Sequence, residues 1–457
     1  MVLYSYQLFG KAEQVSGVRI NNMSNRIAYC IATYERPEVI DDFLEKNADI
    51  YLNNNIDIFI FDSSRDDDTK IRIEDHGLSG VYYIKVSSEV GLSEKVFKII
   101  NGEFFWQISD YDYVWLSNDA NQFQRNTIEM ICDSLERKEY DIAIVSIFFD
   151  LKDDIKEYEE QRLFFLECAY KTTLLGSVII STHTMLRDVD WEKYWNAFMK
   201  EPYKTWMINN FYFHRIIELD KFAGIYFPHL NNGIKYSLKK KAPHWYQFFY
   251  DVLCDKWVKT ITNMPDCYGE VNKRIVCLKN PFFMISEIED HYARRRRGIY
   301  SLLVFLKYYK EWEKVTLIPR RELLKIAMTP RILLQLRYQC ERIKLKHMLI
   351  KFCRSFECVY ISGMGDNAFL MKQLLELYNI RILGLCATKK EKDICWGYSV
   401  FAFDEIKSNN CGFIVSMMEN NAKEVIPSIV EKYGRKSVFW EPYLVKHTLS
   451  EELGYRS

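Results

Sequence analysis

Side chains that can bind cations or phosphates follow a short apolar run in the first third of the chain. The run is Tyr113–Leu116, and the polar residues after it are Ser117, Asn118 and Asp119. An apolar run of this length is typical of a buried strand. Open α/β sheets bind their ligands at the carboxyl ends of their strands, so Asp119 is predicted to lie where a ligand binds. The alternative is an ordinary turn, because Asn and Asp are common turn residues.

Two earlier apolar runs also end in residues that can contact a ligand. Arg26–Thr33 is followed by Tyr34, and Ile56–Phe61 is followed by Asp62 and Ser63. Tyr34 could stack on a planar base. The alternatives are a helix-entry aromatic for Tyr34 and an N-cap or turn residue for Asp62. We call the polar residues at the ends of these three runs the rim, because they are predicted to form one ligand-binding edge.

The rim depends on strands that alternate with helices along the chain. This alternation predicts an α/β fold class with a mainly parallel sheet. The further predicted strands are Val81–Val86, Asp141–Phe149, Leu174–Ser181 and Lys221–Phe227. The predicted helices are Glu38–Leu52, Leu92–Ile100, Asn126–Glu139, Trp191–Met199 and Trp206–Leu219. The acidic run Asp66–Asp68 is predicted to be a solvated turn.

A second pattern of strands and helices begins near residue 358. Cys358–Ser362 is predicted as a strand that enters residues 363–368, Gly-Met-Gly-Asp-Asn-Ala, ahead of a helix. This G-x-G-x-x-A spacing allows a helix N-terminus to bind a pyrophosphate. An NAD site would place an acid at the end of the next strand, where the sequence has Leu385-Cys386-Ala387, so no NAD is expected. The region resembles a Rossmann-like domain, for which we expect a binding, docking or oligomerising role.

Length and composition limit the classes of protein that the chain can belong to. Its 457 residues suggest two to three domains. We predict an N-terminal extension at 1–24, the sheet domain at 25–235, a helical and basic connecting region at 236–354, and the Rossmann-like domain at 355–457. The 62 basic and 62 acidic residues balance, which gives no case for nucleic acid as a partner. The 12 cysteines include no C-x-x-C pair, and no signal peptide is evident, so a reduced, cytoplasmic protein is expected.

Residues 291–354 form a basic stretch that is predicted to be mostly helical. It holds 17 Lys and Arg residues and four acids, a net charge of +13. One interpretation is peripheral contact with the anionic inner face of a membrane. The other is a helical connector with solvated basic faces. Nucleic acid is a weaker interpretation, because the aromatic residues form no recognisable stacking motif.

Residues 26–235 resemble an inverting family 2 glycosyltransferase with the GT-A fold. The stretches that carry the resemblance are, in order, Ala32-Thr33-Tyr34-Glu35-Arg36-Pro37, Asp62-Ser63-Ser64 with Asp67 and Thr69, Gly91, and Leu116-Ser117-Asn118-Asp119. They span a little under half of the chain. The resemblance implies a UDP-sugar donor whose nucleotide is bound by Thr33, Tyr34, Asp62, Ser63, Lys95 and Asn118. The alternative for Lys95 is a solvated lysine on a helix.

The resemblance also implies a divalent cation, Mg²⁺ or Mn²⁺, at the diphosphate. Such a cation would stabilise the negative charge that develops on the diphosphate as the sugar leaves. The family uses an Asp-x-Asp arrangement there, and this sequence has Ser117-Asn118-Asp119, so the leading acid is missing. Asp119 is therefore the implied metal ligand, with Asn118 and Ser117 as weaker ligands.

An inverting transfer needs a base that takes the proton of the acceptor hydroxyl. The family often places a Glu-Asp pair in the helix after the acceptor-side strand, and this sequence has Asn209-Asn210 there. The candidate bases are His214 and, upstream, Asp188, Asp190 and Glu192. The alternative for His214 is a histidine in the core.

The implied function is transfer of a sugar from a UDP-sugar to a saccharide acceptor, free or lipid-linked, in the synthesis of a cell-surface polysaccharide. One alternative is a non-catalytic sugar-nucleotide-binding or scaffolding protein, which the missing acids at Ser117 and Asn209 motivate. Another is an NAD(P)-linked oxidoreductase, which the turn at 363–368 suggests. Formation of a homo-oligomer is left open.

Overall fold

The computed structural model describes residues 25–146, 154–173, 175–228, 248–280, 285, 287–388, 390, 393–407, 410–417 and 419–442. The predicted N-terminal extension and the last residues of the predicted strand Asp141–Phe149 lie outside these ranges. The chain divides into two compact units, Met1–Met328 and Thr329–Ser457. We call them the first and the second unit. The basic stretch 291–354 is divided between them.

The first unit contains an eight-stranded sheet with the order β3-β2-β1-β4-β7-β5-β8-β6. Its strands are β1 Ile27–Thr33, β2 Ile56–Asp62, β3 Val81–Lys85, β4 Tyr113–Asn118, β5 Ile142–Val145, β6 Lys156–Tyr158, β7 Val178–Ser181 and β8 Gly224–Phe227. The pairs β1–β2, β1–β4, β2–β3 and β5–β8 are parallel, and β7 and β6 pair antiparallel with their neighbours. The predicted mainly parallel sheet is therefore confirmed.

Helices cover both faces of this sheet. They are α1 Pro37–Leu52, α2 Asp68–His76, α3 Leu92–Ile100, α4 Arg125–Arg137, α5 Gln161–Cys168, α6 Trp191–Phe198, α7 Met207–Ile216, a π-helix Asp251–Val258, α8 Lys259–Thr262, α9 Glu270–Lys279, α10 Ile288–Arg297, α11 Leu302–Glu313 and α12 Arg320–Met328. Short 3₁₀ segments occur at Trp106–Asp110, Ala169–Thr173, Lys204–Trp206 and Asp266–Tyr268. Alternate residues of β1 face opposite cores: Tyr29 packs on the side of α1 and α4, and Cys30 on the side of α3 and α7.

The acidic run Asp66–Asp68 is exposed, as predicted, and only its last residue departs from the predicted turn. Asp68 begins α2, and Asp67 is its N-cap residue. Acidic side chains at this position interact favourably with the positive end of the helix dipole, so the charges that suggested a turn also favour a helix start.

The second unit contains a smaller sheet with the order β11-β12-β10-β9-β13-β14. Its elements are α13 Arg331–Arg354, β9 Cys358–Ser362, α14 Asp366–Leu377, β10 Ile382–Ala387, β11 Ile394–Cys395, β12 Tyr398–Ala402, β13 Cys411–Val415, α15 Glu419–Tyr433, a 3₁₀ segment Arg435–Ser437, and β14 Val438–Phe439. The strands are parallel except for the antiparallel pair β11–β12. The predicted second, smaller α/β sheet is confirmed.

The register of the first sheet brings the rim together. Thr33 at the end of β1 is level with Asp62 of β2, and Ala32 is level with Asn118 of β4. The chain adds β2 and β3 on one side of β1 and then crosses to add β4 on the other. This reversal is the topological switch point at which open α/β sheets bind ligands. No helix among the described residues is long and apolar enough to cross a membrane.

Candidate functional site

Asp119 is the acid around which the rim is built, and only 4% of it is exposed. The Thr33 hydroxyl donates a hydrogen bond of 2.7 Å to Oδ2, and Nη1 of Arg36 donates one of 2.5 Å to Oδ1. Burial raises the pKa of Asp119, while the Thr33 hydrogen bond and the positive charges of Arg36 and Lys95 oppose that rise. Both carboxylate oxygens of Asp119 are thus engaged within the protein.

Lys95 lies beneath the rim rather than in solvent, although it is a helix lysine. Only 3% of the residue is exposed. Its ammonium group donates to the backbone oxygen of Thr33 at 2.9 Å and to the Ser63 hydroxyl at 2.5 Å. Burial lowers the pKa of Lys95 to about 8, although the nearby charges of Asp62 and Asp119 favour the protonated form. A buried positive charge therefore sits below the rim at neutral pH.

Asp62 is fully buried and shapes the turn that follows β2. Its Oδ1 accepts the Ser64 backbone N–H at 2.8 Å and the Ser64 hydroxyl at 2.5 Å, and its Oδ2 accepts the Tyr83 hydroxyl at 3.2 Å. The Ser64 hydroxyl also accepts the Glu35 backbone N–H at 2.6 Å, which ties the loops after β1 and β2 together. Ser64 matched the resemblance but had no predicted role, and its coupling of two loops depends on the tertiary fold.

Tyr34 is the exposed aromatic residue of the rim, with 43% of its surface accessible. A hydrogen bond with the neighbouring Glu35 raises its pKa. Glu35 has a φ of 50°, a left-handed conformation that is uncommon outside glycine. The ring of Tyr34 is thus available to a planar ligand at the surface.

The amide of Asn118 and the hydroxyl of Ser117 are engaged within the protein. Oδ1 of Asn118 accepts the Ala120 backbone N–H at 2.9 Å, and its Nδ2 donates to the backbone oxygen of Leu175 at 3.2 Å. The Ser117 hydroxyl faces the interior, where it lies 2.8 Å from the Tyr29 hydroxyl. Asn118 therefore borders the rim, and Ser117 supports it from below.

Asn121 and Gly176 hold the loop after β4 in place, and neither was predicted as a site residue. Nδ2 of Asn121 donates to the Ser117 hydroxyl at 3.3 Å and to the backbone oxygen of Leu175 at 2.5 Å. A Cβ atom at Gly176 would lie 1.8 Å from that Nδ2, and the φ of Gly176 is 111°. Only glycine permits this close approach.

The donor set at the rim does not fit a divalent cation in this arrangement. Both predicted acids of the rim are buried: Asp62 is fully enclosed, and both oxygens of Asp119 are engaged by Thr33 and Arg36. Magnesium and manganese prefer several oxygen ligands, and two positive side chains already lie at this edge. In the part of the chain that the structure describes, no three His, Cys, Asp or Glu side chains are grouped so that they could hold a metal ion. We therefore derive no step through a metal.

His214 and Asp190, the predicted bases, are not joined to the rim. Asp190 is the N-cap residue of α6, and its Oδ1 accepts the Lys193 backbone N–H at 2.9 Å. The ring of His214 packs against Phe198, and its Nε2 is buried without a hydrogen-bond partner. Burial lowers the pKa of His214 to about 4. Within the described ranges, no hydrogen bond or ion pair links either side chain to a rim residue.

Asn209, where the family often has an acid, lies beside a cavity of about 240 Å³. The cavity lies between α3, β4 and the start of α7, and its lining includes Ser93 and Leu116. Nδ2 of Asn209 donates to the Thr172 hydroxyl, and its Oδ1 is buried without a partner. None of the described residues that line this cavity is an acid or a histidine.

A larger cavity of about 840 Å³ lies at the opposite edge of the sheet, beside the amino end of β4. The acids in its lining are Asp112, Glu139, Asp141, Glu159, Glu160 and Asp220. This negative charge would repel a diphosphate. Parallel strands also present their ligand sites at the other edge. The rim, and not this cavity, is therefore the candidate site.

Comparisons with known proteins give similarities of overall structure only. No protein-family model and no curated protein match the chain. The crystal structure of S. aureus TarS 1-349 is similar, with 11% identity, a TM-score of 0.35, and 66% of this chain and 81% of that chain covered. Mannosyltransferase PcManGT from Pyrobaculum calidifontis, in complex with GDP-Man and Mn²⁺, has 12% identity, a TM-score of 0.36, and coverage of 66% and 86%. Glucosyl-3-phosphoglycerate synthase from Mycobacterium tuberculosis has 14% identity, a TM-score of 0.25, and coverage of 35% and 58%. All three TM-scores are below 0.5, so the function of this chain must be argued from its own side chains.

Proposed function

We propose that the first unit is a glycosyltransferase that moves a sugar from a UDP-sugar to a hydroxyl group of a saccharide, with inversion. The observation that carries this proposal is the arrangement at the switch point of the sheet. There the loop after β1 carries both the exposed aromatic ring of Tyr34 and the side chain of Arg36. Arg36 is ion-paired to Asp119, and the buried Lys95 lies beneath them. A nucleoside diphosphate needs a stacking surface for its base and positive charge for its phosphates, and this edge offers both.

The donor is proposed to bind with its base on Tyr34 and its diphosphate beside Asn118 and Asp119. The turn formed by Asp62 and Ser64 would contact the ribose through its backbone, because the Asp62 carboxylate itself is enclosed. The resemblance of the ordered stretches along the sequence supports the same placement.

The acceptor is proposed to enter through the cavity beside α7. The unpaired Oδ1 of Asn209 can accept a hydrogen bond from a saccharide hydroxyl there, because a buried carbonyl oxygen without a partner is costly until it finds a donor. An amide cannot take the proton in the transfer step, so Asn209 would orient the acceptor. The base is a separate group, and His214 and Asp190 stay the predictions of the sequence for that role.

A saccharide of a cell-surface polysaccharide, free or lipid-linked, is the proposed class of acceptor. In the first unit, the start of α11 exposes three leucines beside two lysines: Leu302, Leu303, Leu306, Lys307 and Lys310. Apolar and basic side chains side by side suit the boundary of an anionic membrane. Peripheral membrane contact through the basic stretch stays part of the proposal.

The proposed function is tested by incubating the full chain with a panel of UDP-sugars and saccharide acceptors and measuring UDP release. We expect Asp119→Asn to lower UDP release by about 100-fold or more, because it removes the carboxylate at the centre of the rim. Asp112→Asn is the matched control, since Asp112 lies at the opposite end of β4 and bonds the backbone N–H of Arg26.

The other possible outcomes of this experiment would favour the alternative functions or contradict the proposed site. Binding of a UDP-sugar without turnover, with every acceptor tried, would support the non-catalytic sugar-nucleotide-binding protein. Binding of NAD(P) without binding of any UDP-sugar would contradict the proposal. Equal losses in Asp119→Asn and Asp112→Asn would show that the rim is not the site.

A further inference from the structure

The ion pair between Arg36 and Asp119 occupies the place that the resemblance gives to a metal ion. Arg36 is the N-cap residue of α1, and its side chain is 28% exposed while that of Asp119 is 4% exposed. Nη1 of Arg36 lies 2.5 Å from Oδ1 of Asp119. A positive group therefore already sits on the carboxylate that a divalent cation would need.

We propose that Arg36, rather than a divalent cation, binds and neutralises the diphosphate of the nucleotide-sugar, and that Asp119 is the positioning residue that holds its guanidinium. This inference rests on the proposed function, because it names what holds the donor at the same site. It assigns Arg36 a binding role that the resemblance left to a metal.

The geometry of a guanidinium group suits this role. It carries five N–H donors in a planar fork that matches the oxygens of a phosphate. Nη1 of Arg36 is engaged by Asp119, and 28% of the side chain is exposed, so the group is accessible to a ligand. Asp119 is fixed in turn by the Thr33 hydroxyl. The fork is thus held in one orientation before the ligand arrives.

Lys95 has a different place in the same arrangement. It is 3% exposed and donates to Thr33 and Ser63, so it acts through its charge rather than by contact. Asp119 interacts with Arg36 and Lys95, and Lys95 also interacts with Asp62, so the formal charges of these four groups cancel. An arriving diphosphate adds negative charge beside Arg36, the most exposed of the four. A divalent cation would first have to displace Arg36 from Asp119.

In the transfer step, the acceptor hydroxyl oxygen forms a bond to C1 of the sugar as the bond from C1 to the β-phosphate oxygen breaks. The electron pair of the broken bond stays on that oxygen, so the leaving UDP gains one negative charge. The proton of the hydroxyl passes to the base of the proposed function. Arg36 would stabilise the added charge through hydrogen bonds that strengthen as the charge develops.

The inference is tested by calorimetry with UDP, uridine and inorganic pyrophosphate, each titrated into the full chain in excess EDTA and, separately, in Mn²⁺. We expect UDP to bind in EDTA with an affinity within about threefold of that in Mn²⁺, because the protein supplies the positive charge. Arg36→Ala is expected to weaken UDP about tenfold or more and to leave uridine unchanged, since uridine has no phosphate.

Arg72→Ala is the matched control for Arg36→Ala. Arg72 lies on α2, and its Nη1 is also 2.5 Å from a carboxylate oxygen, that of Asp41 on α1. Loss of this surface ion pair should leave UDP affinity unchanged. Arg36→Lys keeps the charge without the fork, so we expect it to restore part of the affinity that Arg36→Ala loses. A purely structural role for Arg36 would not give this order.

Two outcomes would overturn the inference, and they differ from failure of the proposed function. UDP binding that is lost in EDTA and restored by Mn²⁺ would show that a metal displaces Arg36 from Asp119. UDP binding in EDTA that Arg36→Ala does not weaken would place the diphosphate elsewhere. If neither UDP nor uridine binds under any condition, the proposed function fails. In that case, binding of pyrophosphate in EDTA that is abolished by Arg36→Ala would still support an anion site at Arg36. If pyrophosphate does not bind either, the anion site is also contradicted.

Discussion

The two sheets of this chain share a strand order but differ in the chemistry of their carboxyl edges. In the first sheet, β3, β2, β1 and β4 lie side by side, and in the second β12, β10, β9 and β13 do the same. Each sheet therefore has a switch point at the end of its first strand. Around the first switch point lie Asp62, Asp119, Arg36 and Lys95. Around the second, the described residues that directly follow the strands are Gly363, Met364, Gly365, Thr388, Ser416 and Met417, and the described charged residue nearest the end of β10 is Lys390, which is ion-paired to Asp393.

The second edge has the shape of a ligand site, but none of the described residues at its strand ends is a buried charged side chain. Gly363 has a φ of 120°, and a Cβ atom at Gly365 would meet nothing within 4 Å. The hydroxyls of Ser362 and Ser416 are buried there without partners. Strand order thus determines where a site can form, and the side chains decide whether it attracts a diphosphate. This difference is the reason for assigning the proposed activity to the first unit.

The first test of this comparison removes the buried charge that sets the first edge apart. Lys95→Met is expected to weaken UDP about tenfold at neutral pH, because it takes a positive charge from beneath the rim. The affinity of the unaltered chain should fall above about pH 8, since burial lowers the pKa of Lys95 to about 8 and the ammonium group loses its proton there. Calorimetry with UDP from about pH 7 to about pH 9.5 should show this fall, and Lys95→Met should not.

Lys98→Met is the control on the same helix, because Lys98 forms surface ion pairs with Glu94 and Glu103. Lys98→Met should keep the affinity for UDP and the fall in that affinity above about pH 8.

The stability of the folded chain should change with pH in the opposite direction to the affinity for UDP. The folded pKa of Lys95 lies below its unfolded value, so the unfolded chain binds more protons between the two and the free energy of unfolding rises with pH there. A pH profile of UDP affinity that Lys95→Met leaves unaltered would contradict this account.

Long apolar runs and periodic helices could be predicted from the sequence, and very short strands could not. Apolar runs with sharp polar ends predicted the bounds of β1, β2 and β4 to within two residues. The bounds of α3 are the predicted ones, Leu92–Ile100. The ends of those runs pointed to Asp62 and Asp119 as neighbours, because parallel strands bring their carboxyl ends to one edge. By contrast, β6 has three residues, too few for a period, and was not predicted.

The partners of the rim residues could not be predicted in the same way. Arg36 and Asp119 are 83 residues apart, and their ion pair depends on how the loop after β1 folds over the sheet. In the sequence, a lysine on a predicted helix such as Lys95 is expected to be solvated. Only the packing of α3 in the structure shows that Lys95 is buried. Long-range pairing and the burial of a long side chain are tertiary properties without a local pattern.

At the second edge, the expected effect concerns stability alone. Gly363→Ala places a side chain at a φ of 120°, which should lower the free energy of unfolding by about 1–3 kcal/mol. Gly365→Ala, two residues later, has a φ of −91° and open space for its Cβ atom, so it should be nearly neutral. Denaturant unfolding measures the first difference, and UDP affinity should be unaltered in both variants.

Gly365→Ala also probes the edge itself, because it adds a methyl group where a phosphate would approach the backbone. If this variant changed the affinity for UDP or for NAD while its stability stayed the same, the second edge would be a nucleotide site. The two sheets would then differ less than their charges indicate.

The smallest expected effects lie outside both edges, at the two sequence candidates for the base. Asp190→Ala should lower the free energy of unfolding by about 1 kcal/mol, because it removes the N-cap of α6. Asp190→Asn should keep the cap, since asparagine accepts the same N–H. We expect UDP release to stay within about twofold in both variants, because the described hydrogen bond of Asp190 caps α6 and does not reach a rim residue. A loss of about 100-fold in Asp190→Asn, with stability retained, would instead identify Asp190 as the base.

His214 is expected to act on stability rather than on transfer. Burial lowers its pKa to about 4, so the unfolded chain takes up a proton between about pH 6.5 and about pH 4 while the folded chain does not. The free energy of unfolding should therefore fall as the pH is lowered through that window, and His214→Gln should lessen the fall. If His214 were the base, the pH profile of UDP release would depend on its titration, and His214→Gln would abolish that dependence. Equal profiles in the variant and the unaltered chain would leave His214 in the core and place the base among other residues.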